Sequence, residues 1–201
     1  PINYQVTLKP SNHPWLLTLD ATPDKPRLSG YNTVMSRELQ WLTDRPIAEL
    51  VRYTVQSYTQ FTHGPLTYQL GLQDYLNLPA GFNPRTLQWA TELRAQVGNV
   101  EGAHAKLVDK VMEHLRTGGY TYTLEPGLYG RNSADEFWFD RKLGFCEHIA
   151  SSFVIMMRAL DIPARVVTGY QGGERNAVDG YWVVRPSEAH AWTEVWPSGQ
   201  G

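Results

Sequence analysis

The sequence predicts an α+β domain in which helices come first and a largely antiparallel sheet follows, the whole preceded by a small β unit. Three observations predict it. Ile2, Tyr4, Val6 and Leu8 alternate with Asn3, Gln5, Thr7 and Lys9, as in a half-buried strand. The middle of the chain changes to helical spacing, first through Trp89, Leu93 and Val97, then through Leu107, Val108, Val111, Met112 and Leu115. After a third helical face, strand-like segments return over residues 164–170, 181–185 and 189–196. Helices preceding a sheet in this way place a helix against one sheet face.

The elements follow in order. Asn12-His13-Pro14 marks a turn before a second strand over residues 15–20, and the region of Pro23 and Pro26 is loop. Val51, Tyr53 and Val55 alternate within a further strand over residues 49–59. Residues 1–70 therefore read as a β-rich N-terminal domain, a sandwich or open barrel, and residues 71–201 as the α+β core. Within the core, Asn83 can cap a helix whose first position is Pro84. The second helix stops at Gly118-Gly119, and Tyr120, Tyr122 and Leu124 form a short strand before Pro126. The third helix carries Ile149, Phe153, Met157 and Leu160 on one face, and Asp161-Ile162-Pro163 ends it, because proline disfavours the helical region for the residue before it. No internal repeat or low-complexity segment interrupts the series.

Bulk properties narrow the function. The chain has 201 residues, 42% of them hydrophobic and 12% aromatic, enough to bury a core. A net charge of −2 gives no electrostatic reason to expect nucleic acid or an anionic membrane surface. No apolar run approaches the roughly 20 residues of a membrane span; the densest, residues 153–157, is followed by Arg158. Membrane contact is expected only through segments outside these residues, and oligomeric state is not legible. The single cysteine fits a reducing or an oxidising compartment equally.

That cysteine is the candidate nucleophile. Cys146 sits in Gly144-Phe145-Cys146-Glu147-His148, where a loop turns into a helix. Unpaired backbone N–H groups and the helix dipole favour a thiolate in the first turn. The alternative is a small buried apolar residue, which free cysteine often is. A second segment favours chemistry. From Ala189 onward the chain alternates, with Ala189, Ala191, Thr193 and Val195 on one face and His190, Trp192, Glu194 and Trp196 on the other. A strand fixes the direction of His190 better than a loop, and a thiol at a helix start with an imidazole on a strand is the pair thiol acyl transfer needs.

At these residues the sequence resembles transglutaminase-like domains, in particular the extracytoplasmic domain of TgpA-type bacterial inner-membrane proteins. The resemblance rests on Phe137-Trp138-Phe139-Asp140 through Gly144-Phe145-Cys146-Glu147-His148-Ile149-Ala150-Ser151, on Leu160-Asp161-Ile162-Pro163-Ala164-Arg165-Val166-Val167-Thr168-Gly169-Tyr170, and on Ala189-His190-Ala191-Trp192-Thr193-Glu194-Val195-Trp196. It is specific over about residues 134–196 and weaker towards the N-terminus. The resemblance implies a transglutaminase-like (papain-like) core, a glutamine side chain as acyl donor, a lysine or other primary amine as acceptor, protein or peptide substrates, and a periplasmic location. It also implies a Cys-His-Asp triad whose aspartate follows the histidine on the next strand. No acid follows Glu194 in the sequence, so the core reads as truncated at its C-terminal end, with the third acid expected beyond residue 201 and the turn at residues 197–201 leading to it. On that reading these residues alone are weakly active or inactive.

The remaining candidates are weighed against plainer roles. The Cys146 backbone N–H is the natural oxyanion donor, and Trp138 is a possible side-chain donor. Trp192 and Glu194 are expected to line the cleft, against core packing as the alternative for any tryptophan. Cys146 and His148 supply two of the four ligands a closed zinc site uses, so no metal is expected. Gly118-Gly119 and Gly172-Gly173 are turns rather than phosphate cradles, and no cofactor is expected. A cysteine peptidase or amidase would use the same pair with water as acceptor, and a non-catalytic binding or scaffold domain remains a third reading.

Overall fold

The computed structural model describes residues 1–198; the last three positions of the expected terminal turn lie outside the described residues. The chain forms two compact units, residues 1–63 and 64–201, so residues 64–70, expected with the β-rich unit, belong to the second.

The first unit is all β. Strand β1 (Ile2–Leu8) pairs antiparallel with β5 (Val51–Ser57), in a register that sets Ile2 against Ser57 and Leu8 against Val51. Between them, β2 (Trp15–Leu16), β3 (Thr33–Met35) and β4 (Trp41–Thr43) form a three-stranded sheet with β4 in the centre. The strand expected over residues 15–20 is thus two residues long. The alternation of β5 buries Val51, Tyr53, Val55 and Ser57, and the first three pack with Leu16, Leu28, Trp41 and Ile47. Polar groups in this core have partners: Tyr53 donates to Leu17 O at 2.7 Å and the Trp41 indole N–H to Thr22 O at 2.8 Å.

The second unit holds the helices. After a 3-10 helix at Leu70–Leu76 come α1 (Pro84–Val97) and α2 (Ala103–Thr117), the latter ending at Gly118 as expected. Asn83 occupies the N-cap position of α1 but in a left-handed conformation, φ 51°, and caps nothing in its own helix. Its carboxamide oxygen instead accepts the N–H groups of Ala134 and Asp135 at 3.0 and 3.3 Å. Asp135, in the short helix α3 (Ser133–Asp135), returns the arrangement: its carboxylate accepts the N–H of Arg85 at 3.0 Å, and the N–H and hydroxyl of Thr86 at 2.7 and 2.6 Å. Each helix start is capped by the other, across some fifty positions of sequence.

From α3 the chain continues as a π-helix, Glu136–Arg141, then passes through a two-residue strand into the helix that begins at Cys146. Strand β6 (Thr121–Tyr122) pairs with β7 (Leu143–Gly144), and this pair is parallel. Helix α4 (Cys146–Ala159) buries Phe153, Val154, Met156 and Met157 against Ala90, Leu93, Leu107, Val111, Phe137 and Trp138. Strand β8 (Ala164–Tyr170) and β11 (Ala189–Val195) form an antiparallel two-stranded ribbon, with α4 packed on it. Between them the short pair β9 (Glu174–Arg175) and β10 (Trp182–Val183) replaces the longer strand expected over residues 181–185. Its β10 residues are largely solvent-exposed, Trp182 at 70%, so little apolar burial holds a longer ladder there.

Candidate active site

The chain enters α4 through a tight turn. Lys142 is left-handed, φ 53°, Phe145 is extended at the N-cap, and Cys146 is the first helical residue. A Cβ on Gly144 would stand 2.7 Å from His148 Cβ, so the strand and the first helical turn approach this closely only with glycine between them. His148 packs between Tyr129 and Phe145, with ring centroids 4.8 and 4.6 Å away, and its Nδ1 is buried without a hydrogen-bond partner. The Tyr129 hydroxyl donates to Leu143 O, and burial raises its pKa. No side chain caps α4; Ile149 N–H to Phe145 O, at 3.1 Å, opens its ladder. The N–H groups of the preceding turn therefore face outward with the positive end of the dipole. Cys146 is a free, half-buried thiol at that point.

Strand β11 runs alongside α4 in the same direction. Its C-terminal end is fixed beside the end of the helix, where Val195 pairs with Ala164 and Trp196 N–H donates to Pro163 O at 2.9 Å. Midway, the Thr193 hydroxyl donates to Ala150 O at 3.1 Å. From that contact Cys146 lies about 6 Å up the helix and His190 about 10 Å up the strand, in the same direction. By these rises the two residues come out at about the same level, near the N-terminal end of α4. The Thr193 bond also assigns the faces. Ala191, Thr193 and Val195 turn toward α4, and His190, Trp192 and Glu194 share the other face with Gly169, Val167 and Arg165 of β8. Among the described residues neither the Cys146 nor the His190 side chain makes a hydrogen bond.

The other expected site residues separate. Trp192 lies across Gly169: a Cβ there would meet its Cη2 at 2.9 Å. Because Gly169 is the direct partner of His190, the indole sits beside the histidine. Glu194 is engaged by Arg165, at 2.6 Å in the ion pair, and is a cross-strand partner rather than a free carboxylate in a cleft. Trp138 corrects the expectation of a side-chain oxyanion donor. It is fully buried in the helical core, and its single N–H donates to Ser152 O at 3.3 Å. Among the described residues, no three His, Cys, Asp or Glu side chains are grouped to hold a metal ion. Sequence reading missed Gly169, Gly144 and the Thr193 contact. Gly144 adjoins the cysteine and was open to notice; the other two depend on cross-strand register and helix packing.

Comparison with known proteins agrees with this architecture. Residues 88–201 match the model of the transglutaminase-like superfamily. The whole chain is 35% identical to a protein-glutamine gamma-glutamyltransferase of Pseudomonas aeruginosa, of which it spans 29%. Over 63% of its length it is 31% identical to the uncharacterized protein YebA of Bacillus subtilis, spanning 18% of that protein. The crystal structure of the periplasmic domain of TgpA from P. aeruginosa superposes with a TM-score of 0.87 at 34% identity, covering 99% of this chain and 66% of that one. Among the described residues no helix is long and apolar enough to cross a membrane. With its cysteine helix packed on an antiparallel ribbon and a family match over more than half its length, the chain belongs to the transglutaminase-like superfamily.

Proposed function

We propose that this domain transfers the acyl group of a protein glutamine to a primary amine, with Cys146 as nucleophile and His190 as its acid and base. The observation that carries the reading is the parallel run of β11 along α4, which supports Cys146 and His190 coming level at one end of that layer. The thiolate attacks the glutamine carboxamide, and the C–N bond breaks as His190 protonates the departing ammonia. The N–H of Cys146, unclaimed at the helix start, stabilises the negative oxygen of the tetrahedral intermediate. An amine then attacks the thioester. Catalytic hydrogen bonds are commonly long without substrate and tighten in the Michaelis complex, which accommodates the absence of a Cys146–His190 bond here.

The resemblance to the P. aeruginosa transferase supports protein substrates bearing glutamine and lysine. The match to the TgpA periplasmic domain supports a periplasmic domain of an inner-membrane protein, anchored through segments outside these residues. The test uses the full-length protein, a blocked glutamine dipeptide and a primary alkylamine. Cys146→Ser should abolish amine incorporation, and His190→Ala should lower it by about 10³-fold or more while slowing iodoacetamide labelling of Cys146. Incorporation retained in either folded variant would overturn the assignment. Conversion of the dipeptide to glutamate, with no amine incorporated under any condition, would favour the amidase reading.

A further inference from the structure

We propose that Gln171 holds the acceptor amine beside His190 and thereby sets how much of the acyl-enzyme goes to amine rather than to water; this rests on the Cys146–His190 assignment above. Gly169 is the direct cross-strand partner of His190. Two positions on, Gln171 returns to the same ribbon face, as a diagonal neighbour of His190 within the span that long side chains bridge. Its backbone is held: Gln171 N–H donates to Glu188 O at 2.9 Å. Glu188 is itself fixed by accepting the Arg185 N–H, and Arg185 is ion-paired with Glu174 at 2.6 Å. The polar groups around Gln171 are thus engaged with one another. Its own carboxamide is exposed and makes no hydrogen bond among the described residues.

The chain then turns away through Gly172 and Gly173, at φ 90° and 152°. Neither has a side chain, and even a Cβ on Gly172 would meet nothing within 4 Å, so the approach beside Gln171 stays open toward solvent. The chemistry suits an amine. As the amine nitrogen attacks the thioester carbon, the new C–N bond forms and the C–S bond breaks. The amine gives one proton to His190, which passes it to the sulfur, so the thiol is restored. An amine carries a second N–H, which the Gln171 carbonyl oxygen can accept, aiming the lone pair at the thioester. A carboxamide does this without competing for the proton, because it is not a base near neutral pH.

The experiment measures the ratio of amine incorporation to hydrolysis for the blocked glutamine dipeptide and n-pentylamine, by mass spectrometry, in the full-length protein. Ammonia release without amine serves as the internal reference. Gln171→Leu should lower the ratio about tenfold, the loss of one hydrogen bond. Gln171→Glu, which keeps an acceptor oxygen in place, should restore it. An unchanged ratio in a folded Gln171→Leu variant overturns the proposal, as does a parallel fall in ammonia release and incorporation, which would mark a general structural role. Undiminished activity in Cys146→Ser or His190→Ala would instead overturn the assignment on which it rests.

Discussion

Replacing Gly169 by alanine should cost far more activity than stability. The backbone at this position lies outside the positive-φ set, so alanine is allowed and the effect comes from the added methyl alone. That methyl would stand 2.9 Å from Trp192 Cη2 and 3.3 Å from Cζ3. Ordinary carbon contacts begin near 3.5 Å, so the indole must retreat by roughly 0.5–1 Å. Trp192 is only half-buried and can tilt, which keeps the overpacking penalty to about 1–2 kcal/mol. The indole cannot tilt without disturbing the space beside His190, the direct partner of Gly169. A misplacement of about 1 Å at reacting groups can lower the rate a hundredfold, so kcat/KM for ammonia release should fall by about 10- to 100-fold. Steady-state ammonia release, run beside urea unfolding, separates the two effects. A folded Gly169→Ala enzyme with kcat/KM within about twofold of the parent, a change worth only about 0.4 kcal/mol, would show that Trp192 has no bearing on His190.

Trp138→Phe should lower stability by about 1 kcal/mol through the lost bond to Ser152 O, with the rate of ammonia release kept; a loss of rate in the folded variant would return Trp138 to the oxyanion role. Asp135→Ala leaves two backbone N–H groups and a buried hydroxyl unpaired and should destabilise by about 3 kcal/mol or more, read from the urea midpoint. Gly144→Ala forces a methyl against the rigid Cβ of His148 and should cost about 2–3 kcal/mol and alter the labelling rate of Cys146. Burial lowers the pKa of His104, and burial with nearby Lys142 lowers that of His114, each from 6.5. The unfolded chain then binds protons more readily than the folded one, so the stability these residues contribute is complete above about pH 6.5 and is lost as pH falls through that value toward their folded pKa values. Urea midpoints at about pH 7.5 and pH 5.5 should differ less in a His104→Gln/His114→Gln double variant.

The parts of the molecule written in local periodicity were legible. The alternation of β1 and β5, the faces of α1, α2 and α4, and the start of α4 at the cysteine all follow from residues within a few positions of one another. What escaped was set by distant partners. Asn83 looks like a cap for its own helix, yet it caps α3, because Asp135 already occupies the α1 start. Short strands such as β3, β4 and β9 carry too few residues to show a period. The π-helix at Glu136–Arg141 reads as an aromatic cluster, with no sequence sign of its wider turn. At the site, the helix start at Cys146 and the strand that carries His190 were legible from their local patterns. The contact that ties their elements together, Thr193 to Ala150, arises from helix packing and left no trace in spacing. Trp138 was misjudged for a related reason: a tryptophan near a nucleophile reads the same whether its N–H faces the cleft or the core.

The exchanged caps of Asn83 and Asp135 bear on how this unit assembles. A helix with its own capping residue can flicker into existence in the unfolded chain. Here α1 and α3 start without one until some fifty intervening residues have been brought round, so closing that loop comes before either start is secured. Nascent helix at residue 84 onward is therefore sparse before collapse, and the two helix starts are gained in one cooperative event. Amide exchange reports this directly: the protons of Arg85, Thr86, Ala134 and Asp135 should open together, with one free energy and one dependence on denaturant.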